Sequence, residues 1–355
     1  MRKKKVVIVL HGLGANGIDT LFANLSKQWN LEEYDITYFL AVDEGAKQFW
    51  EDKVLENGVK VIHITDLDGK KLFKWPFNLY KYLKKYGPFD AIHVNMDMLN
   101  GINVLVAKLA GLPIRISHSH TSSNKKGAFK KFYLCIMRML MKKCSTHKIA
   151  CSEVSGDYFY GANYTTLYNG IELSKYLNNK RGLIDKSSPC FITVGRISEP
   201  KNPFFIVELM KEIVRKKPEA RLIWVGGGEL KSNVKEKAEI MGVDNNIEFL
   251  GVCKDVNTIF SRADYFLMPS LYEGFGLALV EAQASGLDCF ASHTIPKLVD
   301  CGRCKFISLE KSASEWADEI CNYIDSGAEM QLNHTQMDKF DISCMARKLE
   351  DMYSS

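Results

Sequence analysis

The sequence predicts an α/β protein of two Rossmann-like domains, each built on a parallel sheet. Three observations carry this reading. Short apolar runs alternate with helix-sized amphipathic segments, the pattern of β-α-β units in a parallel sheet. That alternation occurs twice, on either side of a polar stretch at 174–189 that ends Asp185-Lys-Ser-Ser-Pro189 and reads as a linker. With 355 residues the chain is long for one core and comfortable for two. Hydrophobic residues make up 46% and charged ones 25%, which excludes a disordered or fibrous chain.

In the first half, 6–10 is a near-continuous apolar run, as expected of a strand buried on both faces. The basic start Met1-Arg-Lys-Lys-Lys precedes only these five apolar residues, too few for a signal peptide. The glycine-rich loop 11–17 leads into a helix at 18–28. Further strands are expected at 35–40, 59–64, 91–94 and 114–117, with helices at 46–55, 75–85 and 99–109. Strand-like runs at 148–151 and 164–169 close this half. No run is long enough to span a bilayer. Ten cysteines without regular spacing point to a reducing cytoplasm. Cys301-Gly-Arg-Cys304 lacks a second pair or a flanking histidine and reads as incidental, so no metal site is expected.

Residues 124–148 break the rhythm: eight Lys/Arg and no acid, with Phe129, Phe132, Ile136 and Leu140 on one helical face. Two readings compete. One is a solvated basic helix covering the core. The other is a helix on an anionic membrane surface, with Lys125, Lys126, Lys130 and Lys131 toward the head groups. Residues 1–170 hold 24 Lys/Arg against 15 Asp/Glu, or +9, and the remainder 23 against 27, or −4. The first half is therefore the one suited to an anionic partner or membrane, and no nucleic-acid partner is expected.

The second half places strands at 190–194, 221–225, 247–250 and 265–268, with helices at 204–216, 256–261 and one running to Met241. It is organised around 270–286. Pro269 stops the strand, and Gly274-Phe-Gly276 forms a strand-to-helix turn before Leu277, Val280 and Ala284. Such a turn presents unpartnered backbone N–H groups that attract anions. Gly274 and Gly276 permit positive φ and close approach of a ligand. Glu273 before the turn and Glu281 one turn into the helix would repel phosphate, so sugar or ribose hydroxyls suit them better. Taken alone they are equally a turn residue and a solvated helix position. After the first strand of this half, Gly195-Arg196-Ile-Ser-Glu-Pro-Lys201-Asn202 offers two cations for a phosphate clamp. Gly226-Gly-Gly228 makes a third turn at the same edge, where ligands of such folds bind.

These motifs resemble the donor domain of retaining glycosyltransferases of family 4, which have the GT-B fold. The resemblance rests on Gly195-Arg196, Lys201-Asn202, Val225-Gly with Gly228, Phe249-Leu-Gly251, Asp255-Val256, Ala263-Asp264, Pro269-Ser270 and the E-x7-E pair Glu273 and Glu281, in order over about a hundred residues. The first half is similar more loosely, through Gly14, Gly17-Ile-Asp-Thr20, His118-Ser-His120 and Leu167-Tyr-Asn-Gly-Ile171. Asp288 stands where the family usually has proline, Gly227 where Asp or Asn is common, and Asn16 and Asp19 depart from the G-G-x-E loop. Bacterial capsule and exopolysaccharide transferases look most similar.

The resemblance implies two domains facing a central cleft: 1–175 for the acceptor, 176–335 for the donor, and 336–355 as a helix crossing back. It implies a hexosyl group moved with retention from a nucleotide sugar, UDP-linked, to a glycan or polyprenyl-linked acceptor. It further implies that Arg196 and Lys201 hold the diphosphate without a metal or other cofactor and that Glu273 meets the transferred sugar. Glu281 would bond the ribose, Val252 and Gly195 would offer backbone, and 274–277 (Gly274, Phe275, Gly276, Leu277) would meet sugar and phosphate. Gly14 and Gly17 would line the acceptor side, with His120 or His118 as the site histidine. Three alternatives stay open: a small soluble acceptor, as in a disaccharide synthase; a non-catalytic nucleotide-sugar binder; and a nicotinamide dehydrogenase. The last rests on the G-x-G-x-x-G of 12–17 with Asp35 or Asp43.

Overall fold

Apolar periodicity sets the elements, and the computed structural model describes residues 2–69, 71–121, 128–177 and 187–355. The chain divides into two units, Met1–Gly170 with Ile342–Ser355, and Ile171–Asp341. Sequence reasoning put the boundaries at 175 and 335.

The first unit runs β1 (Lys4–Leu10), α1 (Gly17–Leu25), β2 (Tyr34–Leu40), α2 (Glu51–Glu56), β3 (Lys60–His63), α3 (Lys71–Tyr86) and β4 (Ala91–Asn95). It continues with α4 (Asn100–Leu109), β5 (Ile114–Ser119), α5 (Ala128–Cys144), β6 (His147–Ala150), α6 (Glu153–Phe159) and β7 (Thr165–Thr166). The strands form one parallel sheet in the order β3-β2-β1-β4-β5-β6-β7. Side chains alternate across a strand. Hence Val6, Ile8 and Leu10 of β1 enter one core with α1, α2 and the C-terminal residues Met345, Leu349 and Tyr353. Val7 and Val9 enter the opposite core with Trp75, Leu79 and Leu83 of α3 and Val104 and Ala107 of α4.

The second unit runs α7 (Leu173–Tyr176), β8 (Cys190–Val194), α8 (Pro203–Lys216), β9 (Arg221–Val225), α9 (Lys231–Met241), β10 (Ile247–Gly251) and α10 (Val256–Phe260). Then come β11 (Tyr265–Met268), α11 (Leu277–Ala284), β12 (Asp288–Ser292), β13 (Cys304–Ile307), α12 (Ala313–Ser326) and α13 (His334–Met337). Its sheet is again parallel, in the order β10-β9-β8-β11-β12-β13. Sequence order reverses between β8 and β11, so the loops leaving these two strands diverge there and open a crevice at their carboxyl ends. The last helix, α14 (Ile342–Ser354), returns to the first unit, where Tyr34 Oη donates to Glu350 O at 2.9 Å.

Three local expectations differ from the structure. The helix expected at 46–55 is one short helix, α2, and the strand expected at 164–169 is only β7. In α5 the buried stripe is Leu134, Met137, Met141 and Cys144, so Phe132 of the expected apolar face points to solvent. Knobs at i, i+3, i+7 and i+10 against α4 win because Gly101 lets the two backbones approach; a Cβ there would lie 2.6 Å from Met137 O. Lys125, Lys126 and most of the linker, 178–186, lie outside the described residues, and Lys130 and Lys131 belong to α5. Asp288, the departure from the family pattern, is a buried anchor: it pairs with Arg303 Nη2 at 2.9 Å and accepts from Tyr323 Oη at 2.7 Å.

Removing one partner of a buried ion pair leaves a charge without compensation. Arg303→Met should therefore lower the unfolding free energy in urea by about 3 kcal/mol. Asp288→Asn added to it should recover part of the loss; equal stability of Arg303→Met and the unmodified chain would contradict this role.

Candidate active site in the second unit

The site is built on three loops that leave β8, β9 and β10 and bond one another through their backbones. Gly195 N donates to Val225 O at 3.0 Å, Gly226 N to Gly251 O at 2.7 Å, and Ile197 N to Gly227 O at 2.7 Å. The loops are pressed so closely that a Cβ on Gly226 would stand 2.0 Å from Gly195 O, and Gly226 has φ +137°. Only glycine fits there.

Lys201 ends a 3-10 turn whose next residue, Asn202, is left-handed (φ +53°) and is followed by Pro203 at the first position of α8. That sharp entry sends the Lys201 side chain back over Gly195, where a Cβ would meet its Cε at 3.2 Å. Its Nζ forms an ion pair with Glu273 Oε1, and Ser270 Oγ donates to the same oxygen at 2.7 Å. The two loops are also tied by Leu271 N donating to Pro200 O at 2.8 Å. Ser292 and Thr294 hydroxyls both donate to Ser270 O, fixing the turn from below. With side chains 26% and 10% exposed, the Lys201–Glu273 pair is screened far less than a surface pair. Arg196 behaves differently. Its Nε meets Glu229 Oε2 at 3.1 Å, but both side chains are exposed, so this contact holds it only weakly.

Gly276 takes φ +99° and caps α11 with no side-chain hydrogen bond to the helix N-terminus. Gly274 is not among the positive-φ glycines, so only one of the two expected positions uses that freedom. Phe275 is buried edge-on against Phe340, with ring centroids 5.8 Å apart, which holds the turn in place. Leu277 opens α11. Glu281 is not a solvated helix residue. It is partly buried and accepts from Tyr176 Oη at 2.9 Å, and burial raises its carboxyl to about 7 despite that bond. Val252, half exposed after the left-handed Gly251 (φ +76°), stands beside Gly227. One unit thus brings together Gly195, Lys201 and Glu273, with Arg196 and Val252 on the same bonded loops and Phe275–Leu277 and Glu281 on the turn and helix beyond.

The residues expected in the first unit form a second group. Gly14 N and Asn16 Nδ2 donate to Asp19 Oδ2 at 2.7 and 2.6 Å, and Asp19 N donates back to Asn16 Oδ1 at 3.0 Å. Burial raises the Asp19 carboxyl to about 7. Gly17 is simply the first residue of α1. His120, at the end of β5, is buried with its two ring nitrogens 3.1 Å from Asn169 Oδ1 and 3.0 Å from Asn95 Oδ1. His118 lies beneath it with ring centroids 4.0 Å apart; its Nδ1 is 3.1 Å from His93 Nε2, and its own Nε2 is buried without a partner. Tyr353 Oη completes the chain at 2.8 Å from His93 Nδ1. Burial pushes all three imidazoles down, His93 to about 3 and His120 to about 4, so they are neutral at pH 7. His93, Asn95 and Tyr353 escaped sequence reasoning. A polar residue inside the apolar run 91–95 was the available signal. Asp35 and Asp43, the ribose candidates of a dehydrogenase, are instead paired with Lys60 and Lys71.

Two parallel-sheet Rossmann-like units with a glycine-lined crevice in the second define the GT-B fold. Among solved structures the chain is similar to Anabaena Alr3699/HepE, crystallised with UDP and glucose, with a TM-score of 0.80 at 16% identity over 99% of this chain and 100% of that one. It is similar also to WaaG, a glycosyltransferase involved in lipopolysaccharide biosynthesis, with a TM-score of 0.74 at 15% identity over 99% and 100% of the two chains. Residues 15–175 match the family model described as Glycosyltransferase Family 4, and residues 175–336 the one described as Glycosyl transferases group 1.

Curated relatives agree. The Escherichia coli UDP-Gal:alpha-D-GlcNAc-diphosphoundecaprenol alpha-1,3-galactosyltransferase is 30% identical over 74% of this chain and 72% of its own length. The putative glycosyltransferase EpsF of Bacillus subtilis is 28% identical over 92% and 89%. The capsular polysaccharide biosynthesis glycosyltransferase CapH of Staphylococcus aureus is 24% identical over 99% of both. The chain belongs to the family 4, group 1 glycosyltransferases, and it is a glycosyltransferase, not a nicotinamide dehydrogenase.

The packed loops give a direct test of the scaffold. Gly226→Ala should destabilise the chain by roughly 2 kcal/mol or more, from strain at positive φ and the clash with Gly195 O. Gly227→Ala, whose Cβ would meet nothing nearer than Val252 Cγ2 at 3.4 Å, should change it by less than about 0.5 kcal/mol. Thermal melts of the two variants that coincide would refute the packing argument.

Proposed function

We propose that this glycosyltransferase moves a hexosyl group from a UDP-sugar, with retention, to a lipid-linked glycan during polysaccharide assembly. One observation carries the donor half: the Lys201–Glu273 pair lies at the switch point of the second sheet, between the glycine loop after β8 and the uncapped N-terminus of α11. Its cation suits a diphosphate, its carboxylate a sugar hydroxyl, and the two are already side by side. The acceptor half is supported by the name of the E. coli relative, which describes a transfer from UDP-Gal to a sugar on diphosphoundecaprenol.

Binding replaces one partner by another. The diphosphate takes Lys201 and draws in the exposed Arg196, and Glu273 turns to a hydroxyl of the transferred sugar. The backbone N–H groups from Phe275 to Leu277, at the start of α11, meet the sugar and phosphate, and Glu281 takes the ribose hydroxyls beside Tyr176. Val252 offers its backbone to the base. No carboxylate is placed as a nucleophile. The acceptor hydroxyl therefore attacks the anomeric carbon on the face from which the diphosphate leaves. The C–O bond to phosphate breaks as the new C–O bond forms, and the hydroxyl proton passes to the departing phosphate oxygen. Lys201 and Arg196 stabilise the charge that develops on that leaving group. On the acceptor side His120, neutral and held between Asn95 and Asn169, meets the transferred sugar or the acceptor, with His118 beneath it.

Lys201→Ala should lower turnover about a hundredfold, the usual cost of one lost charge-stabilising contact, with a smaller change in the Michaelis constant. Activity should persist in EDTA because these two cations supply the charge. Complete loss on chelation, restored by manganese, would show the metal-free assignment to be wrong.

The two glutamates should separate kinetically. Ribose contacts are nearly equal in ground and transition states, so Glu281→Gln should raise the Michaelis constant for the donor, whereas Glu273→Gln should lower turnover. Ribose hydroxyls donate to the ionised form of Glu281, whose carboxyl titrates at about 7 in the free protein. Donor binding should therefore strengthen as pH rises from 6 to 8, and the dependence should vanish in Glu281→Gln. Calorimetry at fixed ionic strength reads this directly. A flat profile in the unmodified chain would count against Glu281 as the ribose ligand.

A further inference from the structure

The helices on the two faces of the first sheet differ in charge. On one face α1, α2 and α14 carry six acids, Asp19, Glu51, Asp52, Glu56, Glu350 and Asp351, against three bases, Lys53, Arg347 and Lys348. On the other, α3, α4 and α5 carry none, against five Lys on α3, Lys108 on α4 and five Lys/Arg on α5; α6, which packs against α5, adds Glu153 and Asp157. These three helices lie side by side, α4 touching both neighbours, with Trp75 Nε1 donating to Asn103 Oδ1 at 2.8 Å between α3 and α4.

The same layer is aromatic on its outside. Phe73 and Phe77 of α3 are 79% and 78% exposed, and Phe132 of α5 is 67% exposed. Phe73, Phe77, Tyr80 and Lys84 follow one another at i, i+4, i+7 and i+11, a stripe on the side of α3 opposite the buried Trp75 and Leu79. An amphipathic helix ordinarily keeps its apolar stripe against the core and its polar face in water. Here the core stripe is complete without these rings, so a second apolar stripe is left flanked by lysines. Of the α3 lysines only Lys71 has an ion pair among the described residues, with Asp43 and Asp66.

We infer that the outer face of α3, continued by α4 and α5, docks on an anionic lipid surface. The inference rests on the lipid-linked acceptor reading and says which face of the unit meets the bilayer. Two features point to lipid rather than to an acidic protein. Every cation of α3 and α4 is lysine, a residue depleted in protein interfaces, where arginine is preferred. Phenylalanine rings beside long lysine stems suit the boundary between head groups and acyl chains, where the rings enter and the ammonium groups reach up to the phosphates. The face reaches beyond the 124–148 segment singled out by sequence, which supplies only α5. Phe132 alone is common to both among the exposed rings, and α3 contributes the larger share.

The full chain should co-sediment with vesicles of phosphatidylcholine containing phosphatidylglycerol, and bind pure phosphatidylcholine weakly. Phe73→Ser with Phe77→Ser, both at exposed positions, should weaken binding about tenfold or more, and Lys74→Gln with Lys81→Gln should weaken it most at low salt. With Phe77→Trp, emission should shift to the blue when anionic vesicles are added. UDP-sugar hydrolysis should be unchanged in all these variants. Vesicle binding without hydrolysis would leave this surface intact and sink the transferase mechanism instead. The docking inference is overturned if the unmodified chain ignores anionic vesicles at low salt, if the double serine variant binds them equally, or if the face captures an acidic protein and no lipid.

Discussion

The ion pair between Lys201 and Glu273 is the constraint on which the proposed donor site depends. It joins the loops after β8 and β11, the two strands between which chain order reverses, and so bridges the one place where this sheet opens a crevice. Holding the pair needs the left-handed Asn202, the bare backbone of Gly195 under the lysine stem, and Ser270 fixed by two hydroxyls. Each is a local cost with one common purpose, a cation and a carboxylate kept side by side in a shielded turn.

Such a pair also solves a problem of desolvation. A half-buried ammonium without a partner is costly, and the Glu273 carboxylate offsets that cost. In the proposed mechanism a diphosphate takes the place of Glu273 on Lys201 and frees the carboxylate for a sugar hydroxyl. Exposed Arg196 has no comparable restraint.

Much of this was legible in the sequence because glycine, proline and paired charges mark turns by chemistry. Gly195, Lys201, Glu273, Gly276 and Glu281 were all named from spacing and resemblance. Long periodic segments such as α8 and α3 were also legible. What escaped were tertiary facts. The burial of Glu281 against Tyr176 links residues 105 apart in the chain. The ring-to-ring line His120–His118–His93–Tyr353 joins β5 and β4 to the last helix. The buried stripe of α5, Leu134, Met137, Met141 and Cys144, was not legible because the helix presents two apolar stripes, and Gly101 on the neighbouring helix sets which one packs inward. Asp288 looked like a lapse from the family pattern until Arg303 and Tyr323 came to stand around it.

Hydrogen–deuterium exchange with and without saturating UDP tests the donor site most directly. Binding at the loops of the second unit predicts slower exchange at 195–201, 226–230, 251–252 and 273–279, with the first unit's loop 12–17 unchanged. Protection confined to 12–17, or none in the second unit at saturating UDP, would contradict a donor site built on Lys201 and Glu273.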